Sequence, residues 1–183
     1  MAADVLLQVL AGDEPAQLDY AREVASLATR VSLSLGLDRA TRQDIARAAE
    51  LHDIGKLGIP GEILAKAGPL AAPEVEVMRR HTVMGEALIA AAPTLRAVAL
   101  HVRASQERWD GRGYPDGLRG EAIPLGARIV AVCDAFSAMR EDRPYGAVLT
   151  DTEAVEELQR CSGTQFDPRV PFCHSHGASA IAV

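Results

Sequence analysis

Apolar residues recur along this chain with the period of an α-helix, and this pattern limits the available folds more than any other feature. In the segment 15–35 they form one stripe, which consists of Leu18, Val24, Leu27, Ala28, Val31 and Leu35. Residues three or four apart share a helix face, so the stripe predicts an amphipathic helix packed on a core. Aromatic residues make up only 4% of the 183, which favours close-packed helices over a sheet. We predict an all-α protein.

Capping residues, glycines and prolines place the helix boundaries. Gly36 is expected to end the first helix, and Asp38 or Thr41 to cap the next, which runs to His52. Further helices are predicted at residues 73–93, 95–107, 125–139 and 150–160, with an ordered loop at 110–124. In the segment 73–93, Arg79 and Arg80 are expected on a solvated helix face. The pattern predicts one domain at residues 15–170, with a lead-in at 1–14 and a divergent tail at 171–183.

Composition excludes several classes of function. A formal net charge of -6 argues against a protein that binds duplex nucleic acid through a basic field. The three cysteines (Cys133, Cys161 and Cys173) are odd in number and widely spaced, which predicts neither a disulfide framework nor a thiolate zinc site and fits a reducing cytoplasm. The first ten residues have no basic region and too short an apolar run for a spanning helix. We therefore expect a cytoplasmic protein with no membrane partner.

The most informative segment is residues 51–56, where His52 and Asp53 are adjacent on an apolar helix. Burying an imidazole beside a carboxylate is costly unless something binds both, and a divalent cation does so. Lys56, four residues after His52, can then meet a phosphate held at that metal. The alternative is a plain helix C-terminus, with Gly55 as terminator and Lys56 complementing the helix dipole. Alone, this segment does not decide between the two.

Several later segments favour the metal site. With them, the chain resembles the HD-GYP family, a branch of the HD-domain metal-dependent phosphohydrolases. The matching blocks are residues 52–60 (HDIGKLGIP), 78–85 (MRRHTVMG), 107–115 (ERWDGRGYP), 123–136 (IPLGARIVAVCDAF), 142–145 (DRPY) and 163–168 (GTQFDP). They follow the family's order and spacing. The resemblance implies a single HD-domain helical bundle with the additional HD-GYP helices and an ordered GYP loop. It also implies cyclic di-GMP as the characteristic substrate.

The resemblance assigns a role to each matching residue. It implies that His52, Asp53 and Asp134 hold one metal, and that Asp53 bridges to a second metal held partly by His81. Two cations about 3.5–4 Å apart activate a water and neutralise the attacked phosphoryl group. By this resemblance Asp53 and Lys56 are catalytic residues. Lys56 and Arg143 match positions that contact the substrate phosphates. The loop residues Gly113, Tyr114 and Pro115 match a scaffold.

This chain departs from the family pattern at several expected ligands. A metal-binding histidine of the first helix is replaced by Tyr20, and the paired histidines that precede the block 107–115 are replaced by Ser105 and Gln106. Ser137 stands where the family has an aspartate that helps hold the ligand. Hydroxyl and amide groups are poor substitutes for imidazole around a transition metal. We therefore expect at most one tightly bound divalent metal, whether Fe, Mn, Mg or another.

Three hypotheses on function follow from this mixture of retained and missing residues. The first is a phosphodiesterase of the cyclic di-GMP type with impaired activity. The second is an inactive signalling module that binds a cyclic dinucleotide or a protein, for which diguanylate cyclases are one possible class of partner. The third is a single-metal HD phosphohydrolase that acts on another phosphate ester. Fold and family do not choose among them, since activity depends on the site itself.

Overall fold

The chain forms a bundle of α-helices, seen in a computed structural model that describes residues 2–12, 15–141 and 148–171. The helices in these ranges are α1 (Ala2–Ala11), α2 (Pro15–Ser34), α3 (Arg39–Leu51), α4 (Gly61–Leu64), α5 (Ala72–Arg79), α6 (His81–Ala90), α7 (Arg96–Arg103), α8 (Leu125–Arg140) and α9 (Asp151–Arg160). Short 3₁₀ turns cover Ile54–Gly58, Pro93–Leu95 and Gly120–Ala122. In the described ranges the β-structure amounts to an isolated bridge between Ser162 and Phe166. The predicted all-α class is confirmed.

Several helix ends follow the local signals in the sequence. Gly36 takes a φ of 70° just after α2, a conformation that glycine adopts at little cost. The Asp38 carboxylate accepts hydrogen bonds from the backbone N–H groups of Ala40 and Thr41 at the start of α3. At α9, the Oε2 atom of Glu153 accepts from the backbone N–H of Thr150, and Thr150 Oγ1 accepts from the backbone N–H of Glu153. This reciprocal pair is a capping box.

Two predicted helices differ from the structure. The single helix predicted for residues 73–93 is two, because α5 ends at Arg79 and α6 begins at His81. The helix predicted for 95–107 ends at Arg103, so Ser105 and Gln106 lie in the turn that follows it. Neither helix end has a glycine or proline that would mark it in the sequence. We attribute both ends to the packing of the helices.

The core lies between α2, α3, α7, α8 and α9, and α1 packs against α2 and α3. Its side chains are aliphatic, and those fully buried include Val24, Ile45, Leu51, Val98 and Ile129. The helix α1 lies in the predicted lead-in, where the sequence pattern had assigned no element. Its residues Ala3 and Leu7 are buried in the core. In the described ranges, every helix is too short or too polar to cross a bilayer.

Candidate metal centre and phosphate cleft

The turn that follows α3 packs very closely against the backbone of α6, and this contact positions the His52–Asp53 pair. Gly55 lies in the 3₁₀ turn, and a Cβ atom built there would stand 1.8 Å from the carbonyl oxygen of His81 and 2.6 Å from the backbone nitrogen of Gly85. Only glycine permits this contact. The φ of Gly55 is not positive, so the residue is required for close packing rather than for helix termination. The contact brings His52 and Asp53 to the start of α6.

Three elements bring four of the predicted metal ligands together. His52 and Asp53 follow α3, His81 begins α6, and Asp134 lies in the middle of α8. The Nε2 atom of His52 lies 3.3 Å from Oδ1 of Asp134 and 3.5 Å from Oδ2 of Asp53. The Nε2 atom of His81 lies 3.8 Å from Oδ1 of Asp53. Two ligands each about 2.1 Å from one cation are roughly 3–3.5 Å apart, so the His52 distances suit a shared metal.

Backbone carbonyls orient both imidazoles. The Nδ1 atom of His52 lies 2.7 Å from the carbonyl oxygen of Ala49, and that of His81 lies 2.8 Å from the carbonyl oxygen of Met78. When Nδ1 carries the proton and donates it to the carbonyl, Nε2 keeps its lone pair for a metal. The buried Nε2 atom of His81 has no hydrogen-bond partner in the described part of the chain. This donor set fits a divalent cation.

Two other side chains compete for the carboxylates. The phenol of Tyr20 donates to Oδ1 of Asp134 at 2.6 Å, and Nζ of Lys56 donates to Oδ2 of Asp53 at 2.5 Å. Within residues 2–12, 15–141 and 148–171, no three His, Cys, Asp or Glu side chains are arranged so that they hold a metal ion. To hold one cation, His52, Asp53 and Asp134 would need the contacts of Tyr20 and Lys56 with the two carboxylates to break.

The charges in this cluster shift the pKa of each group. Burial lowers the pKa of His52, but the negative charges of Asp53 and Asp134 outweigh it and raise the value to about 9. Burial raises the pKa of Asp134, whereas His52 and the hydrogen bond from Tyr20 hold it well below its usual range. Burial lowers the pKa of His81. Without a metal, protonated His52 therefore neutralises part of the carboxylate charge at neutral pH.

A cleft of about 330 Å³ opens over this cluster and is lined by Tyr20, Asp53, Lys56, Leu64, Met78, His81, Gln106, Tyr114, Asp134 and Ala138. Of the two residues predicted to contact phosphates, Lys56 lies here. Arg143 lies outside the described residues. Ser137 is buried one turn of α8 beyond Asp134, and its hydroxyl has no partner in the described residues.

The GYP loop forms one wall of the cleft. The ring of Tyr114 meets that of His81 edge to face, with the centroids 6.2 Å apart. A Cβ on Gly113 would stand 2.4 Å from the backbone nitrogen of Arg108, so this position also needs glycine. The Tyr114–Pro115 peptide bond is cis. Tyr114 thus borders the cleft, and the scaffold role of Gly113, Tyr114 and Pro115 stays a prediction.

Sequence reasoning missed one residue of this wall. Arg79 is exposed, as expected for a solvated helix face, but its guanidinium lies 5.3 Å from the centre of the Tyr114 ring. This distance is within the range of a cation–π contact. No signal in the helix α5 itself identifies the contact, because the partner lies 35 positions later in the chain.

Known proteins resemble this chain in sequence and in fold. The chain matches the HD domain family over residues 4–170. It is 43% identical over 160 residues to the cyclic di-GMP phosphodiesterase response regulator RpfG of Xanthomonas campestris, covering 86% of this chain and 42% of that protein. It is 39% identical over 153 residues to a cyclic di-GMP phosphodiesterase of Thermotoga maritima, covering 82% of this chain and 42% of that protein. The chain thus spans less than half the length of either relative.

Solved structures show the same fold at low sequence identity. A cyclic GMP-AMP specific phosphodiesterase of V. cholerae (V-cGAP3) superposes with a TM-score of 0.68 at 19% identity, over 92% of this chain and 45% of that one. The HD domain of the phosphodiesterase PgpH of L. monocytogenes, in complex with cyclic-di-AMP, gives a TM-score of 0.61 at 13% identity. That match covers 85% of this chain and 82% of the PgpH chain.

Proposed function

The chain belongs to the HD-domain family, of the HD-GYP type, and we propose that it recognises a cyclic dinucleotide but hydrolyses it poorly. The relatives with the highest identities named above are cyclic di-GMP phosphodiesterases, which supports this class of ligand. The retained cluster of His52, Asp53, His81 and Asp134 supports a site that still contacts a phosphodiester. The missing ligands support impaired turnover.

One metal would be held by His52, Asp53 and Asp134. A bound divalent cation supplies charge to the phosphoryl group and lowers the pKa of a coordinated water. The chain itself contributes Lys56, which lines the cleft and whose ammonium group can pair with a phosphate oxygen. To do so, its ammonium group must leave Oδ2 of Asp53, one of the carboxylates that would hold the cation.

The observation that carries the proposal is the hydrogen bond from Tyr20 to Asp134. The resemblance places a histidine ligand at this position, and here a phenol occupies it and binds the oxygen that lies nearest to His52. A neutral phenol is a poor substitute for imidazole as a ligand of a divalent metal. Tyr20 therefore replaces the expected histidine ligand and also forms a hydrogen bond to the ligand Asp134. Ser105 and Gln106 replace two histidines that the resemblance places at the second metal position, which leaves Asp53 and His81 there.

The test compares binding with turnover in the same preparation. We expect calorimetry to show saturable binding of cyclic di-GMP, and a turnover assay with added Mn²⁺ or Fe²⁺ to show slow hydrolysis. Tyr20→His should raise both metal content and turnover, whereas Tyr20→Phe, which removes the phenol without adding a ligand, should raise turnover less. Absence of cyclic di-GMP binding up to millimolar concentration would refute the proposal and favour a protein-binding module. Rapid turnover by the parent would refute the impaired site.

A further inference from the structure

A second cavity of about 260 Å³ adjoins the cleft, and we call it the arginine pocket. Its lining includes Arg79, Ser105, Gln106, Arg108, Arg112 and Tyr114, together with Asp134 and Phe166. Gln106, Tyr114 and Asp134 line both cavities. A ligand whose phosphate lies beside Lys56 can therefore extend past Tyr114 into the arginine pocket.

The pocket contains an unsatisfied polar group that points to a ligand. Ser105 is 3% exposed, and its hydroxyl has no hydrogen-bond partner in the described ranges. An unpaired buried hydroxyl is uncommon because its desolvation is uncompensated. Ser105 and Gln106 stand where the family resemblance places two histidines. Their side chains are not imidazoles, so this cavity has lost its expected metal ligands and kept hydrogen-bonding groups.

The pocket is also rich in guanidinium groups that differ in their availability. Arg108 is engaged by Asp110 through two contacts of 3.2 and 3.0 Å. Arg79 lies over the Tyr114 ring and pairs with Glu76 at 3.1 Å. In the described ranges the Arg112 guanidinium forms no ion pair, although the charge of Asp110 acts on it from outside ion-pair distance. Arg112 is therefore the cation best able to bind a ligand group.

We propose that the arginine pocket binds a guanine base of the cyclic dinucleotide, with Arg112 pairing to the base edge. This inference rests on the proposed function. Guanine presents two acceptors, O6 and N7, which match the paired donors of one guanidinium, whereas adenine places an amino donor in that position. The half-buried ring of Tyr114 in the lining offers a surface against which a base can pack.

A neutral base suits this pocket better than a second phosphate does. The Asp134 carboxylate lies on its border, so a second phosphate placed there would lie beside a carboxylate, whereas a base would not bring two acidic groups together. The phosphate finds a cation at Lys56, which lines the neighbouring cleft and not this pocket.

The experiment measures affinities for cyclic di-GMP and cyclic-di-AMP by calorimetry in the parent, Arg112→Ala, Arg112→Lys and the control Arg96→Ala. Arg96 is also exposed but lies on α7 away from the pocket, so it controls for the loss of one positive charge. We expect the parent to prefer cyclic di-GMP by about ten-fold or more, and Arg112→Ala to abolish most of that preference. Arg112→Lys should not restore it, because an ammonium lacks the paired donors. Arg96→Ala should keep the preference of the parent.

Each other outcome overturns the inference. If Arg112→Ala keeps the preference, or weakens both ligands equally, the pocket does not read the base. If Arg112→Lys restores the parent's affinities, the contact is to a phosphate. If the parent binds both ligands without preference, the pocket inference fails while the proposed function stands. If the parent binds neither, both fail.

Discussion

The phenol of Tyr20 donates a 2.6 Å hydrogen bond to Oδ1 of Asp134, across 114 positions of the sequence. That oxygen also lies 3.3 Å from Nε2 of His52. The same oxygen of Asp134 thus contacts both a phenol and an imidazole, and the resemblance implies that Asp134 is a metal ligand. A cation held by Asp134, as proposed, would compete with the phenol for this atom, so the contact would weaken its binding.

Removing the phenol should strengthen metal binding. A hydrogen bond to a charged group contributes about 1.5–3 kcal/mol, so Tyr20→Phe should raise the affinity for Mn²⁺ about ten-fold or more. The same change should lower the stability of the metal-free protein, because Asp134 loses a partner. Calorimetry with Mn²⁺ measures the first effect and urea unfolding the second. In Tyr114→Phe, which leaves Asp134 untouched, metal affinity should match the parent; an equal gain there would rule out competition at Asp134.

The close approach at Gly55 should be indispensable. A Cβ atom at Gly55 would overlap the carbonyl oxygen of His81, so Gly55→Ala must push the His-Asp turn away from α6. We expect a loss of several kcal/mol of stability, as for other overpacking changes against a rigid backbone. Gly61→Ala is the matched control, because a Cβ there meets nothing within 4 Å. Equal stabilities of the two variants in urea unfolding would contradict the packing described for this turn.

The two lysines of the chain should differ in their effect on ligand binding. Lys56 lines the cleft, whereas Lys66 pairs with Glu74 away from it. A charge-assisted contact to phosphate contributes roughly 1.5–3 kcal/mol, so Lys56→Ala should weaken cyclic di-GMP binding about 10-fold to 100-fold. Lys66→Ala removes the same charge and should bind like the parent. If both variants bind equally well, Lys56 does not contact the phosphate.

Acid should destabilise the segment that supports the GYP loop. Burial raises the pKa of Asp167, but hydrogen bonds from Arg169 and Arg128 outweigh it and hold the value below its ordinary range. A carboxyl with a lowered folded pKa contributes stability above its unfolded pKa, near 3.9, and loses it as the pH falls through the folded value. The parent should therefore lose stability below about pH 4.

Asp167→Asn provides the comparison for that loss. Breaking one side of a buried ion pair costs about 3–5 kcal/mol, and Asp167 is only 2% exposed. The variant should therefore be less stable at pH 7 and show a shallower decline between pH 5 and pH 3. Urea unfolding at a series of pH values measures both. Parallel pH curves for the parent and the variant would show that Asp167 does not contribute this dependence.

Local signals predicted those parts of the fold that depend on a few neighbouring residues. Gly36, Asp38 and the Thr150–Glu153 pair act within one turn of a helix, so the sequence contains the whole interaction. The break at Arg80 and the early end of α7 at Arg103 could not be predicted in this way. They depend on how the helices pack, and no capping residue marks them.

The same limit applies to the site. The family resemblance identified His52, Asp53, His81 and Asp134, and the fold brings them together. It placed Tyr20 at a ligand position but could not predict the hydrogen bond to Asp134, which depends on the distance between α2 and α8. The cation–π contact between Arg79 and Tyr114 was missed for the same reason. Gly55 was interpreted as a possible helix terminator, whereas the structure requires it for contact with α6.

The most direct test of the account is the number of metal ions per chain. The parent, purified without chelators, is dialysed exhaustively after loading with Mn²⁺ or Fe²⁺ and analysed by mass spectrometry of the metal. Because Tyr20 engages Asp134, and Ser105 and Gln106 supply no imidazole, we predict no more than one tightly held metal per chain. In Asp53→Ala that metal should be lost, since His52 and Asp134 alone supply too few ligands. Two or more stoichiometric metals in the parent would contradict the account.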